Sequence, residues 1–200
     1  AIAVTEPDAG SDVAGIKTRA VRDGDSWVIN GSKIYITNAA IADWMCVLVV
    51  NDAEAGSGGF SQIIVPTDSP GFSYQLLDKI GNLGSDTGQL FFEDVRVPLA
   101  NTIGEIGRGF QQQMQQFQDE RLIACIMANE GADALWETTK RYCEERILFG
   151  KPLSKMQVTQ FKFVEMMTQI AAAKELTYAC VRKRLANQDA TREISMAKLF

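Results

Sequence analysis

No histidine occurs anywhere in the 200 residues. Its absence removes His-based triads, histidine general bases and histidine metal ligands together. Cysteine is sparse: Cys46, Cys125, Cys143 and Cys180 are scattered, without CxxC spacing. They read as small buried hydrophobes in a reducing compartment, and no metal site is expected. Positive charge is also in deficit. Twenty Lys and Arg against 25 Asp and Glu leave a net charge of −5, which argues against a nucleic-acid partner. No GxGxxG or GxxxxGK[ST] pattern marks a phosphate loop. No apolar run reaches the length of a membrane span, so no integral membrane segment is expected. Repeats and low-complexity segments are missing too. What remains is the composition of an ordinary globular protein, 46% hydrophobic and 22% charged. It suits one large domain or two small ones.

Residues 1 to about 100 carry a β pattern. Short strands around 17–22, 26–29, 32–37, 44–50, 60–65, 72–77 and 89–95 alternate with turn signals such as Asp23-Gly24, Asn30-Gly31 and Ser69-Pro70-Gly71. Asn30-Gly31 predicts a hairpin, because both turn residues tolerate positive φ. Trp44 to Val50 is almost wholly apolar and predicts a central strand buried on both faces. Past Pro98 to Gly109 the period becomes helical. Phe110, Met114, Phe117, Ala128, Ala132 and Leu135 form one stripe of a long helix running to about Arg146. Ser154-Lys155-Met156-Gln157 has the form of a capping box before a second helix. That helix carries Phe161, Val164, Ile170, Tyr178, Val181 and Leu185 as apolar positions. A third helix starts near Arg192. The fold class expected is therefore α+β. A small antiparallel β-barrel or sandwich over 1–103 precedes part of an antiparallel helical bundle over 104–200. The helical faces call for partners that these residues do not supply. Ala1 falls inside a strand and Phe200 inside a helix, so both ends are expected to be cut ends.

Several residues are candidates for chemistry. In Val4-Thr5-Glu6-Pro7-Asp8-Ala9-Gly10-Ser11-Asp12 a strand end meets Pro7, then small turn-forming residues. Such turns aim successive backbone N–H groups at one spot and hold an anion without a cation. Alternation after Gly31 places Ile34 and Ile36 on one face and Lys33, Tyr35 and Thr37 on the other. Tyr35 beside Thr37 suits either a planar polar ring or a plain cross-strand surface. On the long helix, Glu120, Ala124, Met127 and Gly131 share a flank. Small neighbours there leave room above the carboxylate, and partial burial would make Glu120 a better base. Arg121 falls within the apolar stripe, which calls for either a salt bridge or a ligand. Arg146 sits at a helix C-terminus, favourable by roughly 0.3–1 kcal/mol.

The Val4–Asp12 stretch and Tyr35-Ile36-Thr37-Asn38 closely resemble the VTEPxAGSD and W/Y-I-T-N segments of the acyl-CoA dehydrogenase family. Gln118-Asp119-Glu120-Arg121-Leu122 and Arg146-Ile147-Leu148-Phe149-Gly150 resemble its xxERL and R-x-x-F-G segments, so the resemblance covers the whole chain. It implies a flavoenzyme that introduces an α,β double bond into an acyl-CoA, as in fatty acid β-oxidation. FAD would be contacted by Val4, Thr5, Gly10, Ser11, Tyr35, Ile36 and Thr37, and by Arg146, Phe149 and Gln157 from a neighbouring subunit. Glu120 would take the α-proton while the β-hydrogen leaves as hydride to flavin N5. Ser11, Gln118 and Arg121 would contact the substrate. Electron-transfer flavoprotein would accept the electrons, and a homo-oligomer, dimer or tetramer, is implied. An N-terminal helical domain would be absent from these residues. The implied location is intracellular, bacterial cytoplasm in preference to mitochondrial matrix. Four positions depart from the pattern: Ile2 for an aromatic, Asp8 for glycine, Leu148 for threonine and Met156 for histidine. An acyl-CoA oxidase, a flavin monooxygenase and a non-catalytic fragment are the rival readings.

Overall fold

The computed structural model describes residues 1–200. Its first compact unit, Ala1–Met114, is built on seven strands. These are β1 (Ile2–Ala3), β2 (Arg19–Asp23), β3 (Ser26–Thr37), β4 (Trp44–Val50), β5 (Phe60–Pro66), β6 (Phe72–Leu76) and β7 (Thr87–Pro98). They form one sheet in the order β1-β4-β2-β3-β7-β6, with β5 also on β4. Most pairings are antiparallel, but β1 and β2 run parallel to β4, so the sheet is mixed rather than purely antiparallel. Met45 to Val49 are all buried, as the apolar run requires of a strand with neighbours on both edges.

The Asn30-Gly31 hairpin does not form. Ser26–Ile29 and Ser32–Thr37 are two halves of one strand, β3, paired along its length with β7. Asn30 is held across to that strand: its Nδ2 donates to Asp94 Oδ1 (2.9 Å) and its Oδ1 accepts from the Asp94 N–H (2.9 Å). A partner strand long enough to span both halves outweighs the local turn preference. The tight hairpin lies one step earlier, where Asp23 pairs with Ser26 around Gly24-Asp25.

Two bulges set which side chains face the core. The register slips at Ile29/Gly31, with the extra residue in β7, and at Lys33/Ile36, with the extra residue in β3. Asp94 (φ 51°) and Tyr35 (φ 61°) take the positive φ there. The first slip lets Leu90, Phe92, Val95 and Val97 all point inward despite the change of parity. The second does the same for Lys33 and Ile36 and leaves Tyr35 outside. Lys33 is thus a core residue and does not share a face with Tyr35 and Thr37.

α1 (Gly109–Glu145) begins in this unit, where Phe110 packs on Phe60 and Gln113 accepts from Gln62 (2.8 Å). The second compact unit, Gln115–Phe200, takes the rest of α1. A short hairpin follows, β8 (Ile147–Leu148) with β9 (Lys151–Pro152), then α2 (Gln157–Leu185) and α3 (Thr191–Leu199). Its buried contacts are Leu122 and Cys125 of α1, Cys180 of α2, and Ala190 and Ile194 at α3. Asn129 donates to Thr177 Oγ1 (2.9 Å) inside this packing. The buried stripe is rotated from the expected one: Ala128 and Leu135 are exposed, as are Phe161, Val164, Tyr178 and Leu185. All four cysteines are free and buried, as small apolar side chains. No helix is long and apolar enough to cross a membrane.

Candidate active site

In the β unit the opening segment turns at Pro7-Asp8, with Glu6 and Ala9 exchanging backbone hydrogen bonds of 2.9 and 3.1 Å. Proline fits the first corner of such a turn. Gly10 and Ser11 follow on the surface, and their N–H groups donate to no protein acceptor. A side chain at Gly10 would meet open space. The segment lies along β3: the Ile34 N–H donates to Thr5 O (2.9 Å). One residue further the bulge turns Tyr35 outward, 68% exposed, with Thr37 also exposed. Thr5, Gly10, Ser11, Tyr35 and Thr37 are therefore reachable from solvent. Val4 and Ile36 are not, since both side chains are in the core.

Sequence reasoning missed the group that joins the two stretches. Lys33 Nζ lies 2.8 Å from Glu6 Oε1 and 2.9 Å from Val4 O, with Lys33 fully buried and Glu6 nearly so. Glu6 also accepts from the backbone N–H groups of Lys17 (2.6 Å) and Thr18 (3.0 Å). Burial alone would push Glu6 up. The Lys33 charge and the hydrogen bonds from Lys33, Thr18 and Lys17 outweigh it and hold the carboxyl below its usual range. Burial pulls Lys33 down to about 8, and the Glu6 charge and hydrogen bond offset part of that. The signal available in the sequence was one opposite charge in each stretch.

In the helical unit Glu120 is exposed, and Gln116 Nε2 donates to its Oε1 (3.3 Å). The partial burial expected for it is not supplied by these residues, because the buried stripe runs along Leu122, Cys125 and Asn129 instead. Its flank is open: Met127 is 69% exposed, and a Cβ at Gly131 would meet nothing. Gln118 is half-buried. Arg121 is exposed and lies over the Phe117 ring, 5.9 Å from its centroid, without an ion pair to a carboxylate. The salt bridge here is made by its neighbour, Asp119 with Arg184 (2.5 Å).

Arg146 is exposed at the end of α1, tied through the Leu153 N–H to its carbonyl (2.7 Å). The β8–β9 turn is Phe149-Gly150, with φ of 50° and 75°, the type I′ pattern. Phenylalanine is a costly choice at positive φ, and its ring is 95% exposed. Gln157 is the first residue of α2 and is exposed. The capping box is absent: Met156 is the N-cap and makes no side-chain bond, while Ser154 lies in the preceding turn, Leu153–Lys155. Gln157 consequently has no capping role here.

Comparison with known proteins identifies the class. The acyl-CoA dehydrogenase middle domain matches residues 1–95, and the acyl-CoA dehydrogenase C-terminal domain matches residues 107–200. Long-chain specific acyl-CoA dehydrogenase, mitochondrial, from Sus scrofa is 38% identical over 203 residues, covering all of this chain and 47% of that protein. The crystal structure of an acyl-CoA dehydrogenase from Geobacillus kaustophilus superposes with a TM-score of 0.95 at 41% identity, over 98% of this chain and 52% of that one. The prolyl acyl carrier protein oxidase AnaB does so with a TM-score of 0.94 at 32% identity, over 98% and 52%. The chain belongs to the acyl-CoA dehydrogenase family, whose members are FAD-dependent flavoproteins. It spans about half the length of these relatives.

The residues present fit a flavin nucleotide. Free amides at Gly10 and Ser11 suit an anion. The outward Tyr35 ring beside Thr37 suits a planar polar ring.

Proposed function

We propose that the protein carrying this chain oxidises an acyl-CoA thioester to its α,β-unsaturated form, as in fatty acid β-oxidation. Its FAD would be held by Thr5, Gly10, Ser11, Tyr35 and Thr37, together with the backbone of Val4 and Ile36. The observation that carries this reading is the Ile34–Tyr35 bulge. It turns Tyr35 out beside Thr37, on the strand to which the opening segment is bonded. Bound flavin supplies the two-electron acceptor that takes the β-hydrogen as hydride.

The chain's own residues supply the proton chemistry. Glu120 accepts the α-proton as the C–H bond breaks, its open flank admitting the acyl chain. A thioester α-proton is far less acidic than a carboxylic acid, so donors to the thioester carbonyl must stabilise the developing enolate. Ser11, Gln118 and Arg121 contact the substrate. Arg121, held only over Phe117, is free to meet an anionic group of coenzyme A. The exposed Phe149, with Arg146 and Gln157, serves the cofactor of a second copy in a homo-oligomer. Electron-transfer flavoprotein takes the electrons onward.

The test uses the complete protein, wild type beside Glu120→Gln, with an unbranched long-chain acyl-CoA added without oxygen. Wild-type flavin absorbance bleaches. The variant keeps its flavin and bleaches about 10²–10⁴ times more slowly, the usual size of a general-base contribution. Equal bleaching places the base elsewhere. The likeness to the prolyl acyl carrier protein oxidase supports one alternative, direct reoxidation by dioxygen. Reoxidation of the reduced protein by air within one turnover time would favour it.

A further inference from the structure

The Glu6–Lys33 pair has no part in the proton chemistry, yet it lies between the two stretches proposed to hold the flavin. A buried ion pair is weak evidence for stability, since a well-packed apolar pair in the same place is commonly as stable. Its geometry points to another role. Lys33 Nζ bridges Val4 O and Glu6 Oε1 (2.9 and 2.8 Å), and the Ile34 N–H donates to Thr5 O (2.9 Å). Three successive residues of the opening segment are thereby fastened to two successive residues of β3. Glu6 extends the junction to the Lys17 and Thr18 amides. Just beyond it, on one side, stand the free Gly10 and Ser11 amides; on the other stands the bulge that exposes Tyr35.

We propose that Glu6 and Lys33 are the positioning pair of the flavin site. They hold the anion-binding turn and the Tyr35–Thr37 surface in one fixed arrangement, and their cancelling charges keep that arrangement open to an anionic cofactor. This rests on the flavin reading above. Loss of the Lys33 proton would leave the Glu6 carboxylate, four residues before Gly10 in the same segment, without its compensating charge. An uncompensated buried negative charge disfavours an anion bound nearby.

The proton is within reach of ordinary alkaline conditions, because burial draws Lys33 down to about 8 from 10.5. From the elements packed around it, Glu6 is the charged group acting on Lys33. Lys17 turns its ammonium to Asp8 at the surface (3.0 Å), and Arg19 of β2 is exposed. The direction for global stability is opposite to that for the site. Between about pH 8 and 10.5 the unfolded chain holds a proton that the folded chain has lost, so this group's contribution to stability rises with pH. Flavin release in that window is therefore not explained by unfolding through Lys33.

The experiment measures FAD dissociation constants by flavin absorbance on the complete protein from pH 7 to 9.5, with far-ultraviolet circular dichroism in parallel. Amide hydrogen exchange at Thr18 and Ile34 is followed in the protein stripped of flavin. Wild type is compared with Lys33→Met and with Lys33→Met/Glu6→Gln, which removes both charges and avoids an unpaired one. The expected wild-type result is weakening by up to about thirtyfold at pH 9.5, where about one molecule in thirty keeps the proton. Lower protection at both amides, taken relative to the intrinsic exchange rate at each pH, accompanies it, with the fold intact. The double variant binds FAD at least tenfold more weakly at pH 7, with a flat profile. Wild-type affinity in a folded double variant overturns the proposal, and so does a flat wild-type profile. If the double variant does not fold, the wild-type profile decides. Wild type that binds no FAD at any pH removes the flavin reading itself, a result distinct from unchanged affinity.

Discussion

Between the β unit and the helical unit, the same residue types meet different fates. In the β unit Ile29, Val47, Ile63 and Leu90 have no exposed surface. In the helical unit Leu135, Phe161, Val164 and Leu185 are 60–80% exposed. The difference follows from how each element satisfies its backbone. A strand must find a neighbour for its N–H and C=O groups, and pairing seven of them brings their apolar faces together. A helix satisfies its backbone internally, so α1 and α2 can stand with an apolar side uncovered. The β unit is thus the place where a binding surface can be built rigidly, on bulges and a buried ion pair. The helical unit offers Glu120 and the Phe149 hairpin on open faces.

Truncation in the two units should separate them. Ile63→Ala removes a fully buried side chain and should cost about 2–5 kcal/mol, seen as a lower denaturant midpoint. Gly31→Ala should cost about 1–3 kcal/mol. Its Cβ would come 2.5 Å from Thr18 Oγ1 and 2.7 Å from Thr18 Cα, at a φ of 146°. Thermal melting reads that loss, and an unchanged midpoint would mean that Thr18 can move away from β3 cheaply. Leu135→Ala in the helical unit, 70% exposed, should stay within about 0.5 kcal/mol when these 200 residues are measured alone. A cost near that of Ile63→Ala would show that this helical face is covered in solution, and the contrast between the units would disappear.

Strand positions were legible wherever a run was apolar on both faces or bounded by strong turn residues, as at Trp44–Val50. The long helix was legible for another reason, a sustained helical period. Asn30-Gly31 misled because a local preference worth little competed with a twelve-residue ladder to β7. The stripe of α1 was misplaced because its inner face includes Asn129 and two cysteines, and so carries a weak apolar period. For the site, Gly10, Ser11, Tyr35 and Thr37 were found as surface residues from turn chemistry and alternation. Alternation put Ile36 on the face away from Tyr35 and Thr37, and its side chain, like that of Val4, is buried. Lys33 was placed on the wrong face because a bulge changes parity, and nothing in two-residue alternation announces a bulge.

By itself the sequence determined the class of each half. It also determined the absence of histidine chemistry, and the two short stretches that carry the family resemblance. These are properties of composition and local pattern, decided within a few residues. Tertiary structure alone decided that the Asn30-Gly31 signal runs straight through, that Tyr35 turns outward, and that Glu6 and Lys33 meet. Those outcomes depend on partners 27 to 64 residues away in the chain. Only the folded sheet sets the desolvation and pairing of one charge by another.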